Sequence, residues 1–308
     1  MTHRREALLA LLFALAVLAA AFAAPWLRFV LTLALAKGIA ALGVMLLLRA
    51  GQVSFGHAMF VAFAAYAVAF LAGRVGDALL LLPLAMLLTS LLGLVIGLFV
   101  ARYREIFFGM LNLALSMVFY SLLEKFYSIT HGTDGMRVPA VTWAGMATER
   151  VGGEWAVLVA ALVLAIGFAL LARLYLASPL GEALQGIKTR EARLEFMGLP
   201  PRRVLLVAYV LSAAMAGTAG ALIALTTRHV TPLMGYWTAS GELVFIVILG
   251  GAGGVLGPFL GAVAYELVRV YAAASVADAW QLILGAVLLA VILFARGGLF
   301  SLLRGRRA

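Results

Sequence analysis

Again and again this chain runs for about 20 residues with almost no charge, the length a helix needs to cross a hydrocarbon core of roughly 30 Å. The runs are 7–24, 26–48, 54–72, 78–100, 106–127, 154–174, 204–225, a glycine-rich stretch at 242–270, and 279–295. Across 308 residues, 65% are hydrophobic and only 12% charged, too few polar side chains to cover a water-facing surface. Lipid must therefore be the solvent. A membrane β-barrel would show short alternating segments, and none occurs. The expected fold is all-α, a polytopic transmembrane bundle of about 8–10 spans forming a single transmembrane domain over 1–308. Arg4 and Arg5 before the first run give it the look of a cleaved signal peptide. Its length, and the span that follows at once, favour a membrane helix.

The net charge of +10 does not point to nucleic acid, because the charges are scattered in short loops. They report orientation instead. With the N-terminus in the cytoplasm, inner segments hold 15 Lys and Arg residues, including Arg49, Arg102, Arg104, Arg173, Arg202, Arg203, Arg296, Arg304, Arg306 and Arg307. The outer side holds 7 and Lys37 falls inside a span, so the bias predicts both termini inside. Parity then requires 242–270 to leave and return on one face. Two limbs of about 14 residues span roughly 20 Å each, which predicts a broken or re-entrant hairpin turning at Gly250–Gly254. Gly253, Gly257 and Gly261 add a small-xxx-small face for close helix contact.

Several chemistries have no carrier. Cys is absent, which removes disulfides, thiolate metal sites and Cys nucleophiles. No phosphate-binding Gly-x-x-x-x-Gly-Lys-Ser/Thr loop occurs, so any ATP belongs to a partner and no cofactor or metal is expected. The four histidines, His3, His57, His131 and His229, lie on different segments. Glu124, Glu154, Glu242 and Asp278 are expected toward span ends, leaving Glu266 as the one acid well inside a limb. That pattern disfavours a proton-coupled secondary transporter.

Polar residues inside the apolar runs are the candidates for a path. Asn112, Ser116, Tyr120 and Glu124 recur every four residues, one stripe along a single span. Gln52, Ser54 and His57 open the third span in the same spirit. Each serves equally well as an interhelical hydrogen-bonding group. The long charged loop 173–203 carries a cytoplasmic amphipathic helix: Ser178-Pro179 begin it, Leu180, Leu184, Ile187 and Leu194 form its apolar ridge, and Gly198 before Pro200-Pro201 stops it. Its mixed charges, Glu182, Lys188, Arg190, Glu191, Arg193 and Glu195, suit a protein groove better than anionic lipid.

Four stretches occur together in a known order. Gly51-Gln52-Val53-Ser54-Phe55-Gly56-His57-Ala58-Met59-Phe60, Thr130-His131-Gly132-Thr133-Asp134-Gly135, Ser178-Pro179-Leu180-Gly181 through Gly198, and Leu249-Gly250-Gly251-Ala252-Gly253 with Gly257-Pro258 and Gly261 resemble the LivM/LivH-type permease subunits of bacterial ABC importers for branched-chain amino acids. The resemblance implies an inner-membrane subunit that forms part of a translocation path for Leu, Ile and Val; similar permeases carry urea, amides or other small organic solutes. It implies a second, LivH-type permease, two cytoplasmic ATP-binding subunits and an extracytoplasmic solute-binding protein. Gln52, Ser54, His57, Asn112, Ser116, Tyr120, Thr133 and Asp134 become path candidates. Gly181, Glu182, Leu184, Ile187, Lys188, Arg190, Glu191 and Gly198 become the ATPase-coupling set, with Leu184 and Ile187 as the ridge for the partner's groove and Glu191 as the charge that sets register. Three departures stand out: Glu182 where a basic residue is usual, Arg193 where alanine is usual, and His131 for a glycine.

Overall fold

A computed structural model describes residues 3–146, 150–275, 279–295 and 297–303. Asp278 and the expected inner charges Arg296, Arg304, Arg306 and Arg307 lie outside them, as do the side chains of Arg4, Arg5 and Arg150. In chain order the helices are α1 (His3–Ala23), α2 (Pro25–Arg49), α3 (His57–Val75), α4 (Ala78–Val100), α5 (Glu105–Lys125), α6 (Tyr127–Thr130), α7 (Arg150–Leu176), α8 (Pro179–Phe196), α9 (Pro201–Thr227), α10 (Trp237–Gly250), α11 (Gly257–Ser275), α12 (Trp280–Phe294) and α13 (Leu299–Leu303). Two short strands, β1 (Met136–Arg137) and β2 (His229–Val230), pair antiparallel. Seven helices among the described residues are long and apolar enough to cross a membrane, so this is a multi-pass helical membrane protein.

α2 occupies the centre. Its stretch from Val30 to Leu47 is almost entirely buried, against α9, α11, α7 and α10. α9 is the second core helix, packed on α2, α4 and α3, and its small residues permit the approach. A side chain at Gly220 would collide with the Val61 carbonyl of α3, and one at Gly217 with Thr89 of α4. α4, α5 and α12 form the rim and expose Leu87, Val95, Phe107, Met110, Leu282 and Leu289, the apolar faces that lipid or another membrane chain covers.

At one outer corner Asp77, the N-cap of α4, accepts from the backbone N–H of Leu79 at 2.8 Å and of Gly145 at 2.7 Å. Those hydrogen bonds, Gly145 first, hold its carboxyl below the usual carboxylate range. The depressed value makes this clamp a feature of neutral pH, lost as pH falls through it.

The spans match their expected positions within a few residues, with three differences. The third starts at His57 rather than residue 54, because residues 50–56 are non-helical and enter the bundle: Gln52, Ser54 and Gly56 are buried, and a side chain at Gly56 would strike Asn112. The hairpin is unequal, with a short limb of 14 residues (α10) and a longer one of 19 (α11), about 21 and 28 Å at 1.5 Å per residue. Its turn lies at 251–256 as the glycines suggest, and a side chain at Gly261 would meet the backbone of α10. The short limb is completed by a second break, at 228–236, where Gly235 meets Ser116 near the middle of α5. Such backbone survives at depth only inside protein, and Val230, Pro232 and Gly235 are buried. Lastly, Glu242 is not at a span end. Its partner is Lys37, halfway along α2, so the pair sits mid-bundle.

Candidate functional site

Polar side chains collect where the two non-helical segments enter the bundle. His57 begins α3 fully buried, its Nδ1 3.0 Å from Ser54 Oγ and its Nε2 within hydrogen-bond reach of Ser212 Oγ on α9. The Ala58 N–H, an orphan donor of the first helical turn, donates to Ser240 Oγ of α10 at 2.9 Å. Asn112 accepts from the Tyr209 hydroxyl and donates to the Phe108 carbonyl at 2.8 Å. Tyr209 stands edge-on between Phe60 and Phe108, with ring centroids 5.7 and 5.9 Å away. Gln52 Oε1 accepts from the Glu105 N–H at 2.7 Å, where Glu105 starts α5 with a left-handed φ of 52°. One knot thus ties α3, α5, α9 and α10. Ser212→Ala should lower stability in detergent by about 1–3 kcal/mol, because it leaves a buried imidazole nitrogen without a partner; an unchanged melting temperature would contradict the knot.

The expected polar stripe divides along α5. Asn112 and Ser116 are fully buried, the latter donating to the Gly235 carbonyl at 2.9 Å. Tyr120 is half-buried and stands edge-on to Tyr236 at 5.0 Å, and Glu124 is exposed. Thr133 and Asp134 lie exposed in the loop after α6, where Asp134 accepts from the Tyr127 hydroxyl at 2.8 Å and thereby raises the Tyr127 pKa. So Gln52, Ser54, His57 and Asn112 meet, Ser116 and Tyr120 adjoin the second break, and Thr133 and Asp134 stand apart on the exposed surface.

A second cluster joins α2 to the hairpin. Lys37 Nζ lies 3.1 Å from Glu242 and 2.6 Å from Glu266, the latter at an angle outside hydrogen-bond geometry, so that contact is ionic. The ammonium also sits 5.2 Å from the Tyr265 ring centroid. Arg269 approaches Glu266 from the other side at 3.6 Å. Sequence alone marks Lys37 and Glu266 as charges inside spans and does not pair them. Ser212 and Ser240, single serines in apolar helices, give no signal at all.

Between α7 and α9, Ser178 caps α8 as expected, accepting from the Gly181 N–H at 3.3 Å. The helix is not continuous: Arg190, at φ −153° and ψ 90°, divides it. Gly181, Leu184, Ile187 and Leu194 are buried on the chain's own bundle, where α8 touches α9, α7 and α2. The part of the ridge expected to meet a partner, Leu184 and Ile187, is therefore already covered, while Leu180 is exposed. Glu191 is also engaged at home, held by the Arg104 guanidinium with contacts of 3.1 and 2.7 Å. Beyond the break, Phe196 is 92% exposed and Met197 68%, and Gly198 turns the chain with a φ of +75°. Glu182, Lys188 and Arg190 point outward, Lys188 lying along Gly51 at the α2–α3 joint. Among the described residues no three His, Asp or Glu side chains gather in a way that could hold a metal.

Membrane-crossing helices around a central α2, two buried backbone breaks and a charged amphipathic helix between α7 and α9 define a polytopic transport-type bundle. Residues 26–292 match the family described as branched-chain amino acid transport system / permease component, and the chain belongs to that family. It is similar to the high-affinity branched-chain amino acid transport system permease protein LivM of Escherichia coli (strain K12) and to its namesake in Salmonella typhimurium. Each is 29% identical, over 82% of this chain and 65% of the relative. The chain thus spans about two thirds of the length of those relatives. No solved structure matches.

Proposed function

We propose that this chain is a permease subunit of an ABC importer for branched-chain amino acids, a single membrane domain lying in a bacterial inner membrane with both termini cytoplasmic. The match of 26–292 to the permease family carries this reading, and the two relatives are named for branched-chain amino acid transport. The subunit pairs with a second permease of LivH type, receives solute from an extracytoplasmic binding protein, and is driven by two ATP-binding subunits. It has no catalytic site or cofactor of its own; ATP binds to the partners. The path runs beside the polar residues of α3 and α5, with Gln52, Ser54, His57, Asn112, Ser116 and Tyr120 holding its walls in register and Thr133 and Asp134 at its outer mouth.

The ATPase engages α8. Gly181, Leu184 and Ile187 seat the helix on the bundle, Glu191 ties it to Arg104, and Glu182, Lys188, Arg190, Gly198 and the exposed Phe196–Met197 pair meet the partner. Movement there reaches the polar knot by a short route, because Arg104 adjoins Glu105, whose N–H is held by Gln52.

The test is ATP-driven L-leucine uptake by proteoliposomes holding the chain with its co-expressed neighbours. Uptake that requires ATP and the ATPase subunits is expected. Uptake by this chain alone on a proton gradient would make it a secondary transporter, and transport of urea or a short amide in place of leucine would change the substrate class. Topology is checked separately in a chain that contains no Cys. In intact cells an impermeant maleimide should label Thr133→Cys and spare Glu195→Cys; the reverse pattern turns the protein over.

A further inference from the structure

The Lys37 cluster brings four ionisable side chains together within a membrane bundle, where such groups are costly and are retained for a purpose. Two of them are enclosed: the Lys37 side chain is 13% exposed and that of Glu266 3%. The other two are partly open, Glu242 at 29% and Arg269 at 39%. Arg269 is long, lies toward the outer end of α11 and packs on the Trp280 ring at 5.7 Å, so its head can reach the interface. Glu242 has no such reach. Lipid does not cover a half-open carboxylate held beside the midpoint of α2, so water or protein must.

Two neighbours share the face of Glu242. Thr238, four residues before it, and Phe245, three after it, are both exposed. α10 touches α5 on one flank and α12 on the other, and it starts beside the Tyr120–Tyr236 pair. The exposed and half-exposed residues of α10 thus run from its start beside the Tyr120–Tyr236 pair past Thr238 to Glu242, and Phe245 beyond it borders an apolar crevice with Tyr265, Leu284 and Leu288. We propose that this face of α10 lines the aqueous path, and that Glu242 is the carboxylate that receives the ammonium group of a transported amino acid while Phe245 meets its apolar side chain. The assignment rests on the transport reading above and adds the group that recognises the solute.

The cluster is built for such an exchange. Lys37 divides one ammonium between two carboxylates. An arriving solute ammonium can replace Lys37 at Glu242, and Lys37 then remains paired with Glu266. The protein's own carboxylates and Lys37 stay paired at either stage, so the ammonium exchange does not break the cluster.

The complete importer in proteoliposomes tests this with L-leucine as the probe. Glu242→Gln should cut leucine import about tenfold or more, the loss of one charge-assisted hydrogen bond, with subunit co-purification retained. Glu242→Asp should recover part of the loss. Thr238→Cys and Phe245→Cys should react with a cationic methanethiosulfonate and be protected by leucine in the presence of ATP and the binding protein. Wild-type import by Glu242→Gln overturns the ammonium assignment. Cysteines that react only with a lipid-soluble maleimide, or that cross-link to the second permease and never meet the aqueous reagent, overturn the path assignment. The cysteine accessibilities hold whichever solute the importer carries, so a wild-type complex that fails to move leucine counts against the transport reading alone. The same accessibilities decide the matter if Glu242→Gln fails to assemble.

Discussion

Lys37→Met should remove most of the protein from the membrane fraction. The substitution keeps the volume of the side chain but leaves Glu242 without its ion-pair partner and Glu266 with only the more distant Arg269. Breaking a buried pair by removing one partner costs about 3–5 kcal/mol, a large part of the stability of a typical domain. The measurement is membrane abundance together with the melting temperature in detergent. The double variant Lys37→Met/Glu242→Gln should recover part of the loss, because it also removes the carboxylate that Lys37→Met leaves without a partner, Glu266 retaining Arg269. A single variant as abundant and as stable as wild type would show that the three helices are not joined through this ammonium.

The second large effect separates two residues nine positions apart on α8. Ile187 is 7% exposed and packed on the chain's own helices, so Ile187→Asp should destabilise the permease itself by several kcal/mol through burial of an unpaired carboxylate. Phe196 is 92% exposed, so Phe196→Asp should leave abundance and melting temperature unchanged while the ATP-binding subunits no longer co-purify. Co-purification that survives Phe196→Asp would move the contact to the charged face of Lys188 and Arg190.

The helices were legible because a membrane span is a property of its own residues: about 20 apolar side chains suffice, whatever lies beside them. The hairpin turn was legible for a similar reason, since glycines in succession have little other use in an apolar stretch. The start of α3 was not, because Ser54 and Phe55 have ordinary composition, and only their burial against α5 keeps 50–56 from winding into helix. Periodicity shows that α8 has an apolar ridge but not which surface the ridge meets. Here the bundle covers Leu184 and Ile187, and the open apolar pair falls outside the periodic pattern. Glu242 shows the same limit more sharply. Its position suggested a span end, while its depth is set by a partner 205 residues away, which no local pattern reveals.

The break at Arg190 divides α8 into two stretches with different tolerances to change. Residues 179–189 are bound into the bundle on one face, so they can vary only as the helices beneath them vary. Of residues 192–198 only Leu194 is buried, its side chain lying against Gly186 of the first stretch, and the remainder is exposed. Under the proposed docking of the ATP-binding subunits, they form an exchangeable adapter. Grafting this stretch from a related permease should redirect the chain to that permease's motor while leaving the membrane portion folded, so the choice of motor can diverge independently of the path it drives.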